Sequence, residues 1–314
     1  MIRCAIIGFG EVGERFARDL EDGGAGGIVA FDIAPEARAR AAATGRVRVA
    51  ATAAKAVSTA EVVFLSVTAG ATLVAIDGAA GGLAHGPFVL DVNSVSPATK
   101  CAAAERVGAA GGRYVEAAVM TSVTPRGLRS PMLLGGHHIL AFMETMKPFA
   151  MDLTPFGASI GAAASVKMCR SVLIKGLEAL ATESMLSARY FGVEEHVLAS
   201  LVDTLPHPDW ASLVRYMIDR ALTHGARRSE EMLEAAETVR QAGLEPLLST
   251  AIAERQAWAG EQGRALASAV LAGNELGPLL DAINARQTPL PLSPVPARPM
   301  AQAFAPDLTP CGRD

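Results

Sequence analysis

Residues 2–13 read IRCAIIGFGEVG, a short β-prone run followed by three glycines in the spacing GxGxxG. Residues 11–20 have the composition of a helix, so the glycine turn is predicted to join a strand to a helix. The N–H groups and the positive end of such a helix favour an anionic phosphate. The predicted phosphate-binding turn consists of Gly8, Phe9, Gly10, Glu11, Val12 and Gly13.

A carboxylate follows the second predicted strand, residues 28–31. Asp32 lies near the spacing from the glycines at which a carboxylate accepts hydrogen bonds from an adenosine ribose. Since a carboxylate there would repel a 2′-phosphate, the sequence favours NAD over NADP. Arg38 and Arg40 are close enough in the chain to keep NADP open. The structural alternative for Asp32 is a helix cap before Pro35.

Buried apolar strands alternate with helices through the first half of the chain. Further strands are predicted at 47–50, 62–67, 88–92 and 114–120. The pattern indicates an α/β fold with a Rossmann-type, doubly wound parallel sheet. Ligands of such sheets lie beyond the carboxyl ends of the strands, although ordinary turn chemistry would also explain polar residues there. The candidates at these ends are Ser66, Val67, Thr68 and Asn93 for the cofactor, and Asn93, Ser94, Met120, Thr121 and Ser122 for the substrate.

The second half of the chain is predicted to be helical. Apolar residues recur at helical spacing in 193–205, 210–223, 229–242 and 246–261. The predicted division is an NAD(P)-binding domain at 1–156, an all-helical substrate and dimerisation domain at 157–287, and a proline-rich tail at 288–314. Because such helices leave apolar faces that a two-fold partner would cover, we expect a homodimer through the helical domain.

One lysine stands out at the start of the helical half. Residues 157–180, GASIGAAASVKMCRSVLIKGLEAL, place Lys167 between apolar neighbours, with Arg170 and Ser171 predicted on its helix face. Lys167 either carries chemistry or lies along the helix and reaches water at its tip.

Composition narrows the classes of partner. The net charge of −4 gives no electrostatic argument for binding nucleic acid or an anionic membrane. Cys4, Cys101, Cys169 and Cys311 stand far apart, without a CxxC or metal-ligand spacing. We expect reduced thiols in a cytoplasmic protein, no bound metal and no membrane span.

Four blocks of this sequence resemble the β-hydroxyacid dehydrogenase superfamily, which includes 3-hydroxyisobutyrate and 6-phosphogluconate dehydrogenases. They are GFGEVG at 8–13, DVNSVSP at 91–97, VEAAVM at 115–120 and GASIGAAASVKMCRS at 157–171. Residues 224–239, HGARRSEEMLEAAETV, look like the helical domain of an uncharacterised 6-phosphogluconate-dehydrogenase-like branch. The resemblance implies hydride transfer between NAD(P) and a small hydroxy acid, with Lys167 as the catalytic residue that assists proton transfer.

Departures from the family pattern bear on the substrate. Met120, Thr121 and Ser122 stand where members usually have a serine and two glycines, and Ser171 stands where asparagine is usual. The histidine and glutamate of 6-phosphogluconate dehydrogenases are replaced by Arg170 and Ile174, so we expect a non-decarboxylating enzyme. Arg170 either binds a substrate anion or pairs with an acid on a neighbouring helix.

Two alternative functions remain open for this sequence. An imine reductase-like NADPH enzyme would share the scaffold, but such enzymes typically carry aspartate or tyrosine in place of Lys167. A non-catalytic dinucleotide-sensing protein would keep the glycines and Asp32 without needing Lys167. His207, Trp210 and His224 in the helical half receive no catalytic assignment.

Overall fold

The computed structural model describes residues 1–204, 209–266 and 268–287. The predicted proline-rich tail and His207 lie outside the described residues. The strands are β1 Arg3–Ile7, β2 Gly27–Phe31, β3 Val47–Val49, β4 Val62–Leu65, β5 Phe88–Asp91, β6 Arg113–Val119, β7 Met132–Gly135 and β8 Leu153–Gly157. The helices are α1 Glu11–Asp22, α2 Pro35–Ala43, α3 Ala53–Val57, α4 Thr72–Ala79, α5 Pro97–Ala109, α6 Val123–Arg126, α7 Ile139–Met146, α8 Ala162–Tyr190, α9 Glu194–Thr204, α10 Trp210–Gln241, α11 Leu247–Ala265, α12 Ser268–Ala272 and α13 Leu276–Asn284.

The eight strands form one sheet in the order β3-β2-β1-β4-β5-β6-β7-β8. All neighbours pair in parallel except β6 and β7, which are antiparallel. The last residues of β1 and β4, Ile7 and Leu65, lie opposite each other, and Leu65 lies opposite Asp91 at the end of β5. The turns after these three strands therefore meet at one edge of the sheet. The predicted α/β fold class is confirmed.

Both faces of the sheet are covered, as buried parallel strands require. Along β1, Cys4 and Ile6 belong to one apolar cluster and Ala5 and Ile7 to the other. Residues on alternate sides of the same strand thus enter two separate cores. This explains why β1 reads as a continuous apolar run instead of an alternating one.

The last strand departs from the sequence prediction, which assigns no regular structure to residues 151–157. β8 pairs in parallel with β7, with an irregularity in the register at Leu134 and Gly135. It is a half-exposed edge strand that contains Pro155, so it lacks both the apolar pattern and the full set of N–H donors of an inner strand.

The helical half is dominated by three long helices, α8, α10 and α11, which pack together. The predicted break between 223 and 229 is wrong, because α10 runs without interruption from Trp210 to Gln241. Gly225 has the appearance of a helix breaker in the sequence, but its role is close packing. A Cβ at Gly225 would lie 2.2 Å from the carbonyl oxygen of Gln256 and 2.5 Å from the nitrogen of Gly260, both on α11.

The sheet ends at Gly157 and the lysine helix α8 starts at Ala162, while the domain bounds 1–156 and 157–287 stay a prediction. Within the described ranges, none of the helices combines the length and apolarity needed to cross a membrane.

Candidate functional site

The glycine turn between β1 and α1 is shaped by two close approaches. Gly8 has φ +94°, and a Cβ there would lie 2.3 Å from the carbonyl oxygen of Ser66. A Cβ at Gly13 would lie 2.1 Å from the carbonyl oxygen of Gly8. At Gly10, by contrast, a Cβ would meet no described atom within 4 Å. The protein's own packing therefore explains Gly8 and Gly13, and Gly10 leaves open space beside the N-terminus of α1, where a phosphate would approach.

The carboxylate of Asp32 is fixed by two backbone N–H groups. One oxygen accepts from the N–H of Phe9 at 2.7 Å, and the other accepts from Ala34, the N-cap of α2, at 2.8 Å. Arg38 donates to the carbonyl oxygens of Asp32 and Ile33, and Arg40 donates to the carbonyl oxygen of Phe9. Neither arginine is bonded to the carboxylate itself. Asp32 thus ties the glycine turn to the end of β2, and the residue is partly exposed.

Side chains at the ends of β4 and β5 link three strand ends. Ser66 donates its hydroxyl to the carbonyl oxygen of Gly8 at 2.9 Å, and the N–H of Val67 donates to Asn93 Oδ1 at 2.9 Å. Asn93 is 4% exposed, and its Nδ2 has no hydrogen-bond partner in the described part of the chain. A buried amide left unpaired costs free energy, so an acceptor oxygen of a ligand would be stabilised there. Thr68 is exposed and Ser94 is half-buried.

A charged group that sequence reasoning missed lies beneath these strand ends. Asp91, at the end of β5, contacts Lys100 Nζ at 3.1 Å and accepts a hydrogen bond from the Tyr114 hydroxyl at 2.7 Å. The Lys100 ammonium also donates to the carbonyl oxygen of Asp91 at 2.8 Å. Burial first, and then the Asp91 charge, raise the pKa of Tyr114 well above its ordinary value. The available signal was a lysine within an alanine-rich helix that follows an aspartate at a strand end.

A second missed carboxylate anchors the lysine helix. Glu116, in the buried strand β6, accepts hydrogen bonds from the N–H groups of Gly161 and Ala164, both at 2.6 Å. Burial raises the pKa of Glu116, although Lys100 and these two N–H groups oppose the shift. Gly161 is the N-cap of α8 and has φ +93°. The first turn of α8 is therefore held against the sheet beside β5.

Lys167 lies in the second turn of α8, half-buried. Burial lowers its pKa to about 8 from the ordinary value of 10.5. The Glu231 carboxylate on α10 acts in the opposite direction, while three other cations add to the lowering: Lys100, Lys175 and Arg227. The side chain can therefore gain or lose a proton near neutral pH.

The predicted substrate residues fall into different environments. Ser171 is buried and accepts a hydrogen bond from Lys175 Nζ at 3.1 Å. Arg170 is exposed, and no ion pair joins it to any residue of the described ranges, so it does not share the buried face of Lys167 and Ser171. In the turn after β6, Met120 is half-buried, and Thr121 and Ser122 are exposed.

Helix α10 presents a row of charged residues to the sheet and to α8. Its Glu234 carboxylate accepts hydrogen bonds from the N–H of Ser96 at 2.7 Å and from the Thr99 hydroxyl at 3.0 Å. This ties α10 to the segment that follows Asn93. Burial first, then Arg220 and Arg227, lower the pKa of His224, and Glu11 at the start of α1 opposes them. The spacing 224, 227, 231 and 234 on one helix face was the signal for this row.

Two further features of the chain bear on what the site can hold. Trp210 begins α10 and packs against an apolar cluster of the helical half. Within residues 1–204, 209–266 and 268–287, no group of three or more histidine, cysteine, aspartate or glutamate side chains is arranged to hold a metal ion.

Two family profiles match the chain. The NAD binding domain of 6-phosphogluconate dehydrogenase matches residues 3–142, and a domain of unknown function, DUF1932, matches residues 188–259. The second match covers the whole of α10, including the row at 224, 227, 231 and 234.

Solved structures with the same fold extend over nearly the whole chain. A conserved hypothetical protein from Sinorhizobium meliloti is 34% identical, with a TM-score of 0.67, over 91% of this chain and 97% of that one. A Mycobacterium tuberculosis 3-hydroxyisobutyrate dehydrogenase is 18% identical, with a TM-score of 0.66, over 92% and 100%. A Streptomyces aurantiacus imine reductase is 17% identical, with a TM-score of 0.53, over 90% and 98%. The last two likenesses concern the fold alone.

One curated relative matches this chain over only part of its own length. An uncharacterised Methanothermus fervidus protein is 24% identical over 159 residues, and the chain spans 61% of that protein's length. The identity with the Sinorhizobium protein over almost the full length, together with the matched NAD-binding domain, shows the family. This chain belongs to a β-hydroxyacid dehydrogenase-like family of NAD(P)-binding proteins that combine a 6-phosphogluconate-dehydrogenase-type nucleotide domain with a DUF1932 domain.

Proposed function

We propose that this protein is an NAD(P)-dependent oxidoreductase that transfers a hydride between the nicotinamide cofactor and a small hydroxy acid or its carbonyl counterpart, without decarboxylation. The observation that carries the proposal is the half-buried Lys167 with a pKa of about 8. Glu116 anchors the lysine helix α8 to β6. This strand lies next to β5, and Asn93 follows the end of β5.

The cofactor would be held by the glycine turn and the neighbouring strand ends. The open space at Gly10 and the N–H groups at the start of α1 fit a pyrophosphate. Asp32 fits a ribose diol, and its unneutralised carboxylate supports NAD over NADP. The proposed contacts are Gly8, Phe9, Gly10, Glu11, Val12, Gly13, Asp32, Ser66, Val67, Thr68 and Asn93. When bound, the nicotinamide supplies the hydride acceptor or donor.

Lys167 would handle the proton that accompanies the hydride. In the oxidation direction its neutral amine accepts the proton of the substrate hydroxyl, and in the reduction direction its ammonium donates a proton to the new alkoxide. A pKa near 8 makes both forms accessible at neutral pH. We therefore expect the rate of oxidation to rise through about pH 8 and the rate of carbonyl reduction to fall over the same range.

Asn93 is the proposed substrate contact with the best structural support. Its Oδ1 is engaged by Val67, which leaves the buried Nδ2 for an acceptor oxygen of the substrate. Ser94 and the turn Met120, Thr121 and Ser122 remain proposed neighbours of the substrate. Ser171 accepts a hydrogen bond from Lys175, so we propose that it acts through that lysine. Arg170 is exposed and would contact only a substrate that lies on the outer side of α8.

The decisive experiment compares turnover and dinucleotide binding in one variant. Purified protein is screened against hydroxy acids and aldehydes with NADH and NADPH absorbance as the readout. Lys167→Ala is then tested on the best substrate. Turnover should fall by several orders of magnitude while NADH still binds. A sensor without chemistry would show no turnover with any substrate, and its NADH response would be unaffected by the substitution.

A homodimer through the helical half is part of the proposal. Leu173, Leu177 and Leu180 on α8 are 64%, 40% and 68% exposed, and Tyr190 and Phe191 at its end are 78% and 74% exposed. Apolar surface in such quantity on one helix favours burial against a second copy. Sedimentation that finds only monomer at micromolar concentration would contradict the dimer.

The free thiols of Cys4, Cys101 and Cys169 support the proposed cytoplasmic location.

A further inference from the structure

Lysines are unevenly distributed in this protein. The chain has five of them, and three lie together in the interior: Lys100 and Lys175 are buried and Lys167 is half-buried. The other two, Lys55 and Lys147, are exposed. Lysine is almost never buried without a partner, and its pKa moves readily when it is. Lys100 is paired with Asp91, so Lys167 and Lys175 call for a second negative charge.

Glu231 on α10 supplies that charge. Its carboxylate contacts Lys175 Nζ at 2.9 Å and Arg227 at 2.6 Å, and the residue is 8% exposed. Burial acts to raise the pKa of Glu231, but Lys175, Arg227 and Lys167 lower it to about 2. Since Glu231 stays ionised at neutral pH, its effect on Lys167 is electrostatic, and it does not carry the proton.

Lys175 faces the same carboxylate from α8. It lies two turns after Lys167 on the same helix face and donates a hydrogen bond to Ser171, which lies between them. Lys175 repels the Lys167 ammonium, and Glu231 attracts it. The two members of one ion pair thus act on Lys167 in opposite directions.

We propose that the buried Lys175–Glu231 pair sets the balance of charge around Lys167, on which both residues act electrostatically. The meaning of this balance for catalysis rests on the proposed function. The other ionisable groups near this pair or the first turns of α8 are Arg227 and His224 on α10, Lys100 on α5 and Glu116 on β6. Among these groups, Glu231 is the carboxylate paired directly with a lysine of α8.

The protein contains a matched control for this pair. Glu178 and Arg228 form an equally buried ion pair between the same two helices, farther along α8 from Lys167. Glu178 also accepts a hydrogen bond from Gln256 on α11 at 3.3 Å. Both pairs join α8 to α10, so a purely structural role for such pairs would give them the same effect on Lys167.

The titration of Lys167 can be followed directly. Protein labelled with ¹³C at the lysine side chains gives five sets of lysine signals, and the signal absent from Lys167→Met identifies Lys167. We expect its titration midpoint to move down by about one pH unit in Glu231→Gln and up in Lys175→Met. The double variant should lie between the two single variants, and Glu178→Gln should leave the midpoint where it is.

Opposite shifts distinguish charge balance from structural damage. The proposal is overturned if Glu231→Gln and Lys175→Met move the midpoint in the same direction or leave it unchanged, or if Glu178→Gln moves it equally. Because removing one member leaves a buried unpaired charge, thermal unfolding of each variant is measured alongside. If one single variant does not fold, the other decides alone: a midpoint unchanged from that of the parent protein, or moved opposite to the expected direction, overturns the proposal.

This experiment is independent of turnover. If Lys167 is not the proton-transfer residue, Lys167→Ala keeps its turnover or no substrate is found, while the opposite NMR shifts of the parent protein's variants remain. If the proposed function holds and the pair plays no part, the pH profile of turnover follows Lys167 but does not move in Glu231→Gln. The two failures are therefore distinguishable.

Discussion

Two regions of the molecule hold most of their acidic side chains in different ways, although Asp91 in the sheet half is also held by side chains, those of Lys100 and Tyr114. Around the ends of the strands, Asp32 and Glu116 are held by backbone N–H groups of turns and helix starts. Between α8 and α10, the buried carboxylates Glu178 and Glu231 are held by arginine and lysine side chains. The reason is geometric, because N–H groups inside a helix are already bonded within it, while turns and first helical turns leave theirs free.

This difference assigns different tasks to the two halves. Backbone donors are fixed in place by the fold and cannot change charge, so the sheet half provides constant geometry for the cofactor and for Asn93. Side-chain pairs respond to substitution and pH, so the helical half supplies Glu231 and Lys175 as adjustable charges near Lys167, to which Lys100 of the sheet half adds. Substitutions in each half test this division, from the largest expected effect to the smallest.

Replacing Lys167 by methionine should affect chemistry and leave the sheet half intact. General acid–base catalysis contributes about 10²–10⁴-fold, so kcat should fall by about three orders of magnitude. NADH affinity, measured by fluorescence titration, should change less than threefold. Lys147→Met, at an exposed lysine, is the control and should keep full activity. Equal loss of turnover and of NADH binding would instead indicate damage to the cofactor site.

The same substitution should change the pH dependence of stability. Since the pKa of Lys167 in the folded protein, about 8, is below 10.5, the unfolded chain binds more protons between these pH values. The free energy of unfolding of the parent protein should therefore rise with pH through this window, by about 1–3 kcal/mol. Lys167→Met should be more stable at pH 7 and lose that advantage above about pH 10.5. Urea unfolding of both proteins at several pH values measures the difference.

Much of the fold is readable from the sequence, and the reasons for the gaps are physical. Strands β1, β2, β4, β5 and β6 are apolar on both sides, so their composition marks them. β8 is a half-exposed edge strand with a proline, so no local sequence pattern predicts it. Gly225 resembles a helix end in the sequence because its tight contact with Gln256 and Gly260 is a tertiary feature.

The candidate site is only partly readable for the same reason. The glycines and Lys167 belong to local patterns that chemistry explains. Glu116, Lys100 and Glu231 act through partners far away in the chain, and a single sequence does not show which distant residues meet. Their common signal is a charged residue inside an apolar or alanine-rich element, which is the kind of position where a buried partner is required.

Alanine at two glycines of the same turn should separate packing from ligand binding. In Gly13→Ala the new Cβ meets the Gly8 carbonyl oxygen at 2.1 Å, so we expect a loss of about 1–3 kcal/mol in stability. In Gly10→Ala the new Cβ has no described atom within 4 Å. The melting temperature should therefore stay nearly constant, while NADH affinity falls about tenfold. Calorimetry and NADH titration of both variants provide the test. A large drop in melting temperature for Gly10→Ala would mean that this glycine also serves the fold.

Glu234 joins the two halves and should have the smallest effect. Glu234→Ala removes the acceptor for the Ser96 N–H and the Thr99 hydroxyl, which loosens the segment after Asn93. We expect KM for the substrate to rise about threefold to tenfold, with little change in kcat, since one hydrogen-bonded contact contributes about 1 kcal/mol. Glu237→Ala, at an exposed residue of the same helix paired with Arg240, is the matched control. Because Glu234 is a positioning group for a loop and does not contact Lys167, its variant should keep the parent pH profile. A shifted profile would mean that α10 acts on the segment after Asn93 and on Lys167 through one electrostatic network. The division of tasks between the two halves would then fail at this helix.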